Sequence, residues 1–326
     1  MSRSLWNKMA FTGCLLLTIT CAMAQTYPRK PVTIIVPSSA GGVLEMMARA
    51  LSPRLSEALG QPFIIENRPG AHGILGADTV AKATPDGHVL LFSAETGIVN
   101  NPFLYANLPY DAAKAFAPIA MCCVMAQALV VSPALGVNSL QEMLRLAKSQ
   151  PGKLSYGSNG PGSGSHLYME SLKRLAGVDV VHIPYKGSAP AVTDLVGGRV
   201  SMMVVTLAVI QSQLRSGKLK ALAVGSAKRS SAFSDVPTAA EAGFPSWETD
   251  VWMGLFAPAG TPKEVVSRLN AEMTRITGSD QFSEQWLKRN GFDAPYTGSA
   301  EQFAEFVRDA MQKSERIIKA SGVKLD

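Results

Sequence analysis

Two glycine- and hydroxyl-rich stretches constrain this chain more than anything else in it. Tyr156–Leu167 reads Y-G-S-N-G-P-G-S-G-S-H-L, and Pro37–Glu45 reads P-S-S-A-G-G-V-L-E. The first follows a short strand-like run, Lys153–Ser155, and opens a helix-like run over Leu167–Ala176. The second follows the apolar, β-branched run Val32–Val36 and opens a helical stripe of Leu44, Met47, Ala48, Leu51, Leu55 and Leu59. Glycine lets the backbone turn where a Cβ would clash. A loop feeding a helix start also presents unpaired N–H groups and the positive end of a helix dipole, which suits an anion. One such loop alone reads equally well as an ordinary strand-to-helix turn. Two of them, far apart in sequence, predict one anionic ligand held from two sides, with Gly41, Gly42, Ser158, Asn159 and Ser163 in its loops.

Strand-like runs alternate with helical ones along the whole chain. They fall at Val32–Val36, Phe63–Glu66 and Val89–Ser93, then at Gln127–Ser132, Val178–Ile183, Val200–Val205 and Lys220–Gly225, and finally at Val251–Ala257. A helix starts after Thr261-Pro262, and Phe303–Ile318 carries a second late apolar stripe. The alternation predicts parallel sheets with helices on both faces, and about 300 mature residues suggest two domains. The expected class is α/β, with two doubly wound domains joined by a two-strand hinge. The chain leaves the first domain near Gln127–Ser132 and returns near Val251–Ala257. Residues 25–128 with 250–326 then form one domain and residues 129–249 the other. Pro53, inside the first helical stripe, should kink or split it. Ligands of such sheets sit beyond the carboxyl ends of the strands. Ser38, Ser39, Ser93 and Thr96 then line one rim, with Ala94–Gly97 a loop, and Ser158, Tyr185, Lys186 and Thr206 line the other. Lys186 is either the cation for a carboxylate or a solvated surface lysine.

Met1–Ala24 reads as a secretory leader: Arg3 and Lys8, an uncharged apolar run over Met9–Ile19, and an A-x-A site at Ala22–Ala24, so that Gln25 begins the mature chain. The apolar run is short for a membrane anchor; a lipoprotein signal ending at Cys21 is the other alternative. Removal of Arg3 and Lys8 lowers the formal charge from +6 to 6 − 2 = +4. The remaining Lys and Arg are scattered without interleaved aromatics, which argues against nucleic acid. Of the cysteines, only the adjacent Cys122 and Cys123 survive cleavage, and they read as buried free thiols. No metal-ligand spacing joins His72, His88, His166 and His182, there is no G-x-S-x-G elbow around Ser163, and no nucleotide fingerprint is complete. Neither enzyme chemistry, a metal nor a cofactor is expected, and His166 is read as structural.

A run of further motifs carries a resemblance that spans essentially the whole mature chain. These are Y-P-R-K-P-V-T-I-I-V-P, E-N-R-P-G-A-H-G, A-T-P-D-G-H, L-P-Y-D, the glycine loop itself, H-I-P-Y-K-G-S-A-P-A-V-T-D-L-V-G-G, D-V-P-T-A-A-E-A-G-F and L-F-A-P-A-G-T-P. In these the chain resembles the solute receptors of tripartite tricarboxylate transporters, the Bug family. The resemblance implies a periplasmic, monomeric, bilobal receptor of the Venus-flytrap type. Such a receptor closes around a small carboxylate and passes it to a membrane permease of one small and one large subunit; a receptor that signals to a membrane sensor kinase would use the same closure. It further implies that the ligand is held by Pro37–Gly42, by Ser93–Gly97 (including Ala94), by Ser158–Ser163 and near Tyr185. The chain departs from the family pattern at Leu44 and Glu45, at Val205, and at Glu95, which either faces the cleft or turns to solvent.

Overall fold

The computed structural model describes residues 27–249, 251–295 and 298–321, with the side chain of Ala320 excepted; the expected leader lies outside the described residues. Ten strands are named among these: β1 (Val32–Val36), β2 (Phe63–Asn67), β3 (Val89–Ala94), β4 (Phe116–Met125), β5 (Gln127–Val131), β6 (Ser155–Ser158), β7 (Val181–Pro184), β8 (Met202–Thr206), β9 (Lys220–Val224) and β10 (Val251–Pro258). They form two five-stranded sheets, in the orders β2-β1-β3-β10-β4 and β7-β6-β8-β5-β9. The longer helices are α1 (Val43–Leu59), α2 (Ile74–Ala81), α3 (Leu140–Ser149), α4 (Gly164–Ala176), α5 (Ser188–Val196), α6 (Lys263–Thr277) and α7 (Ala300–Ser321).

Both sheets are mixed, which corrects the expectation of wholly parallel ones. In the first, β1 pairs in parallel with β2 and β3, while β10 runs antiparallel to both β3 and β4. In the second, β6 pairs in parallel with β7 and β8, while β5 runs antiparallel to β8 and β9. The reversal has one physical origin. The chain runs from the carboxyl end of β4 through Ala126 straight into β5, and from the carboxyl end of β9 it returns to β10. A strand entered directly from a neighbouring sheet, with no helix to carry the chain back to the starting end, runs the other way. Both passages lie at carboxyl ends, so the two carboxyl rims lie next to the passages and share one crevice.

Side-chain alternation along the strands splits each sheet into two cores. Val32, Ile34 and Val36 pack with Met47, Leu51 and Leu55 of α1 and Leu269 and Met273 of α6. On the opposite face Ile35 and Leu91 pack with Ala77 and Val80 of α2 and with Phe303 and Val307 of α7. The second sheet is covered by α3 and α4 on one face and by α5 on the other. Cys122 and Cys123 are buried free thiols. They share one face because the β4–β10 register shifts between Met253 and Gly254, pairing Cys123 and then Met121 and leaving Cys122 as the bulged residue.

Strand β4 is a strand the sequence reading did not delimit. Of the kink or split expected at Pro53, the split is absent: α1 runs through it as one helix, although proline cannot donate to the helix ladder. Part of the contact between the two units is apolar, with Leu104, Leu167 of α4 and Ile318 of α7 in one cluster.

Candidate ligand-binding site

The glycine loop is shorter than its sequence suggests. Strand β6 runs to Ser158 and α4 begins at Gly164, so only Asn159–Ser163 lies between them. Gly160 and Gly162 take the left-handed backbone, at φ 121° and 72°, which explains why this turn needs glycine there. The loop satisfies most of its own donors. Asn159 N–H donates to Ser165 Oγ at 2.9 Å, Gly160 N–H to Ser158 Oγ at 3.1 Å and Gly162 N–H to His166 Nδ1 at 3.1 Å. Ser163 caps α4 by accepting from His166 N–H at 3.4 Å, while its own hydroxyl donates to the Gly160 carbonyl at 2.7 Å. Gly164 and Ser165 are the first two residues of the helix, positions whose N–H groups have no partner within it. The donors that the loop leaves open among the described residues are therefore those of the first turn of α4, and the rest of the loop bonds to itself.

Behind the loop stands a stack that sequence spacing did not reveal. Ser158 is fully buried, and its Oγ lies 2.7 Å from His182 Nε2. The His166 and His182 rings stack at 4.1 Å, and Tyr156 stacks on His182 at 4.8 Å. Tyr156 donates to Glu170 at 2.6 Å, and Lys173 closes the group with a 2.7 Å bond to the same oxygen. Burial depresses both histidines below their usual range, His182 to about 4, with His166 adding to the effect there. The Ser158–His182 pair is a hydrogen bond locked under the loop, and neither residue lines the crevice.

The crevice between the two rims is a cavity of about 600 Å³. From the first unit it is lined by His72, Glu95, Thr96, Asn101 and Leu104, from the second by Asn159 through Ser165, and at the passages by Gln127 and Val251. Of the residues singled out in the sequence, it brings together Thr96, Asn159 and Ser163. Thr206 stands one contact back, accepting from Gln127 Nε2 at 2.8 Å. Ser38, Ser39, Gly41, Gly42, Ser93, Ala94, Ser158, Tyr185 and Lys186 are not among the lining residues. Tyr185 turns to Asp194, to which it donates at 2.8 Å, and Lys186 is exposed. At the start of α1 the anion position is already filled from within. Glu45 accepts from Gly41 N–H at 2.6 Å and from Arg49 Nε at 2.5 Å, and these bonds hold its carboxyl below the usual carboxylate range. Ser38 Oγ, beside that helix start, is buried without a hydrogen-bond partner among the described residues.

The stretch read as a loop at Ala94–Gly97 is instead the end of β3 and the start of a wide helical turn over Thr96–Asn100. That turn carries Glu95 inward. Glu95 is 3% exposed and accepts from Tyr168 Oη of α4 at 3.1 Å and from Asn100 Nδ2 at 3.4 Å. Asn101 is fully buried, and its Nδ2 donates to the His72 carbonyl at 3.1 Å. Asn101 was missed as a lining residue; Glu95 had been read as either facing the cleft or turning to solvent, on the signal of a charge in a stretch of otherwise small and apolar residues, and it faces inward.

A second cavity, of about 650 Å³, lies at the outer edge strand β9. Several of its polar groups are engaged: Gln141 donates to the Ala242 carbonyl at 2.8 Å, Lys220 pairs with Asn138, and Glu241 pairs with Arg229 at 2.9 Å. Of these two cavities, the crevice between the rims is the one that combines contributions from both sheets with a long helix start.

A family model described as the tripartite tricarboxylate transporter family receptor matches residues 47–323. BugT of Bordetella pertussis is 34% identical over 303 residues, which cover 93% of this chain and 92% of BugT. The structure of R. palustris Rpa4515 with adipate is 35% identical, with a TM-score of 0.78 over 92% of this chain and 99% of that one. MatC (Rpa3494) from Rhodopseudomonas palustris, solved with bound malate, is 33% identical, with a TM-score of 0.73 over 90% of this chain and all of that one. Two mixed sheets with one reversed strand each are thus the bilobal arrangement of periplasmic binding proteins, and the chain belongs to the tripartite tricarboxylate transporter receptor family, with the Bug proteins.

Proposed function

We propose that this chain is an exported receptor that binds a small carboxylate in the crevice between its two rims and delivers it to a membrane permease of one small and one large subunit. Its lobes are residues 25–128 with 250–326 and residues 129–249. The observation that carries the reading is the position of the first turn of α4. The N–H groups of Gly164 and Ser165, without a partner among the described residues, and the exposed Asn159 line a cavity that Thr96 and Asn101 line from the other lobe. A helix start of this kind stabilises an anion by about 0.3–2 kcal/mol. A micromolar ligand requires about −8 kcal/mol, so contacts from both lobes and burial must supply the remainder. Ligand then favours the closed form because only that form touches it from both sides. The relatives solved with adipate and malate support a carboxylate as ligand. The crevice supports binding rather than turnover: the one serine–histidine pair near it is sealed beneath the loop.

The test is a thermal-shift screen of the mature protein against mono-, di- and tricarboxylates, amino acids and aromatic acids. Ligand at one hundred times its Kd raises stability by about 2.7 kcal/mol. Asn159→Asp, which places a negative charge where the carboxylate would sit, should weaken the best ligand at least about tenfold by calorimetry. A screen without any carboxylate hit contradicts the receptor reading.

A further inference from the structure

Outside the crevice, one carboxyl group of the first lobe is bonded to a turn of the second. Asp293 belongs to the first lobe. Its N–H donates to the Val124 carbonyl at 2.9 Å and its carbonyl accepts from Val124 N–H at 3.0 Å, which pins it to the edge strand β4. Phe292 beside it is buried in the first core. Ser231 belongs to the second lobe, and the turn around it is fixed there. Arg229 Nε donates to both Glu241 oxygens, at 3.1 and 2.9 Å, and Arg229 Nη1 to the Ser234 carbonyl at 3.0 Å. Phe233 N–H closes the turn on the Ser230 carbonyl at 3.2 Å. Across the boundary, Ser231 N–H and the Ser231 hydroxyl both donate to Asp293 Oδ1, at 3.0 and 2.7 Å. The lobes also approach closely next to this pair. A Cβ on Gly291 would fall 3.1 Å from Ala208 Cα and against Gln211 Nε2, so glycine there lets the turn after β8 sit on the first lobe, where Ala208 packs against its core.

We propose that the Asp293–Ser231 pair is a latch between the lobes, formed in this conformation, where both rims line one crevice, and parted when the crevice opens. Asp293 is then a positioning residue. It does not line the cavity. It acts on affinity through the fraction of molecules whose rims already face each other, because the apparent Kd tightens as that fraction rises. Two bonds converge on a single oxygen, so one separation breaks both together. Ser231 is exposed, so water replaces them and the latch is reversible. This inference rests on the hinged two-lobe reading above and not on which acid is bound.

Spin labels at Ala40→Cys and Lys186→Cys report the latch without any ligand. Both positions are exposed and follow β1 and β7. Those strands stand away from the strands that carry the passages, so a swing about the passages moves them far. Cys122 and Cys123 are fully buried and stay unlabelled. Double electron–electron resonance on the mature, ligand-free protein gives the ratio of long to short separations. Asp293→Ala should raise that ratio about fivefold or more, as the loss of two hydrogen bonds implies. Asp293→Asn, which keeps an accepting oxygen, should raise it less than Asp293→Ala. Ser231→Ala removes only the hydroxyl donor and should shift the ratio in the same direction; being exposed, it reads the latch even if Asp293→Ala folds poorly. Added to Asp293→Ala, it should change nothing further. An unchanged ratio in either single variant overturns the latch, as does an equal effect of Ser231→Ala with and without Asp293. A lower Tm with unchanged separations also overturns it, because Asp293 would then serve the fold alone. The carboxylate screen decides the receptor reading separately: a hit upholds that reading whatever the separations show, and a screen with no hit removes it without altering the distance result.

Discussion

Ser158→Ala isolates what holds the glycine loop in shape. In the fold its hydroxyl lies 2.7 Å from His182 Nε2 and accepts the Gly160 N–H at 3.1 Å. The site is fully buried. Deletion of the oxygen leaves a ring nitrogen and a backbone donor without their partners, and a buried polar group left unsatisfied costs about 1–3 kcal/mol. Gly160 is only half-buried and recovers part of its bond from water, so the total should stay near about 1–3 kcal/mol rather than double. For a protein of this size that is a fall in Tm of roughly 2–5 °C. Urea denaturation and differential scanning fluorimetry of the ligand-free variant measure it. Ligand affinity should weaken as well, because the first turn of α4 is aimed by the loop, although Ser158 itself does not line the cavity. An unchanged midpoint with weakened binding would refute the reasoning, because Ser158 would then be a ligand contact and not a scaffold residue.

The stacked histidines predict a pH dependence. Burial and His166 hold His182 near 4, below the usual value of about 6.5, so between those values the unfolded chain takes up a proton that the fold refuses. Stability contributed by neutral His182 is present above the unfolded value and is lost as pH falls toward 4. His182→Gln should show a smaller loss of urea midpoint on acidification than the unaltered protein; parallel curves would contradict this. Gly225→Ala should be costly for a steric reason. A Cβ there would fall 2.0 Å from Thr249 Oγ1, where Gly225 joins the Gln127 carbonyl and the Thr249 N–H at the passages between sheets. Overpacking of this kind costs about 1–3 kcal/mol, visible as a lower Tm; an unchanged Tm would show that the passage yields freely.

Much of the fold was legible from period and punctuation. The run Val32–Val36 and the stripe from Leu44 to Leu59 became β1 and α1 because each buries one apolar face, and the glycine loop stands where a strand meets a helix start. Strand direction was not legible, because an apolar run reads alike in either sense and only its connections set the direction. Strand β4 was obscured because it lies in an apolar stretch broken only by Pro118 and continuous with β5 through Ala126. Pro53 misled in the other direction, since α1 tolerates one missing donor where its buried face is held by the core.

The site was legible mainly on one lobe, with Thr96 the one lining residue singled out on the other. Asn159 and Ser163 follow from the loop motif. Asn101 does not, and for Glu95 a turn read as an irregular loop left the inward and outward directions open. Ser38–Gly42 looked equivalent to the second loop, yet Glu45, three residues past Gly42, supplies the anion for its own helix start. Lys186 carried the charge expected of a carboxylate partner, and its place in the fold is an exposed surface position.

The most direct measurement is a crystal structure of the mature protein with its tightest ligand from the carboxylate screen. The account predicts density for the acid group within hydrogen-bond reach of the Gly164 and Ser165 N–H groups, with Thr96 on the facing lobe. Density for the ligand in the cavity beside β9, or against Lys186 with the crevice unfilled, would contradict it.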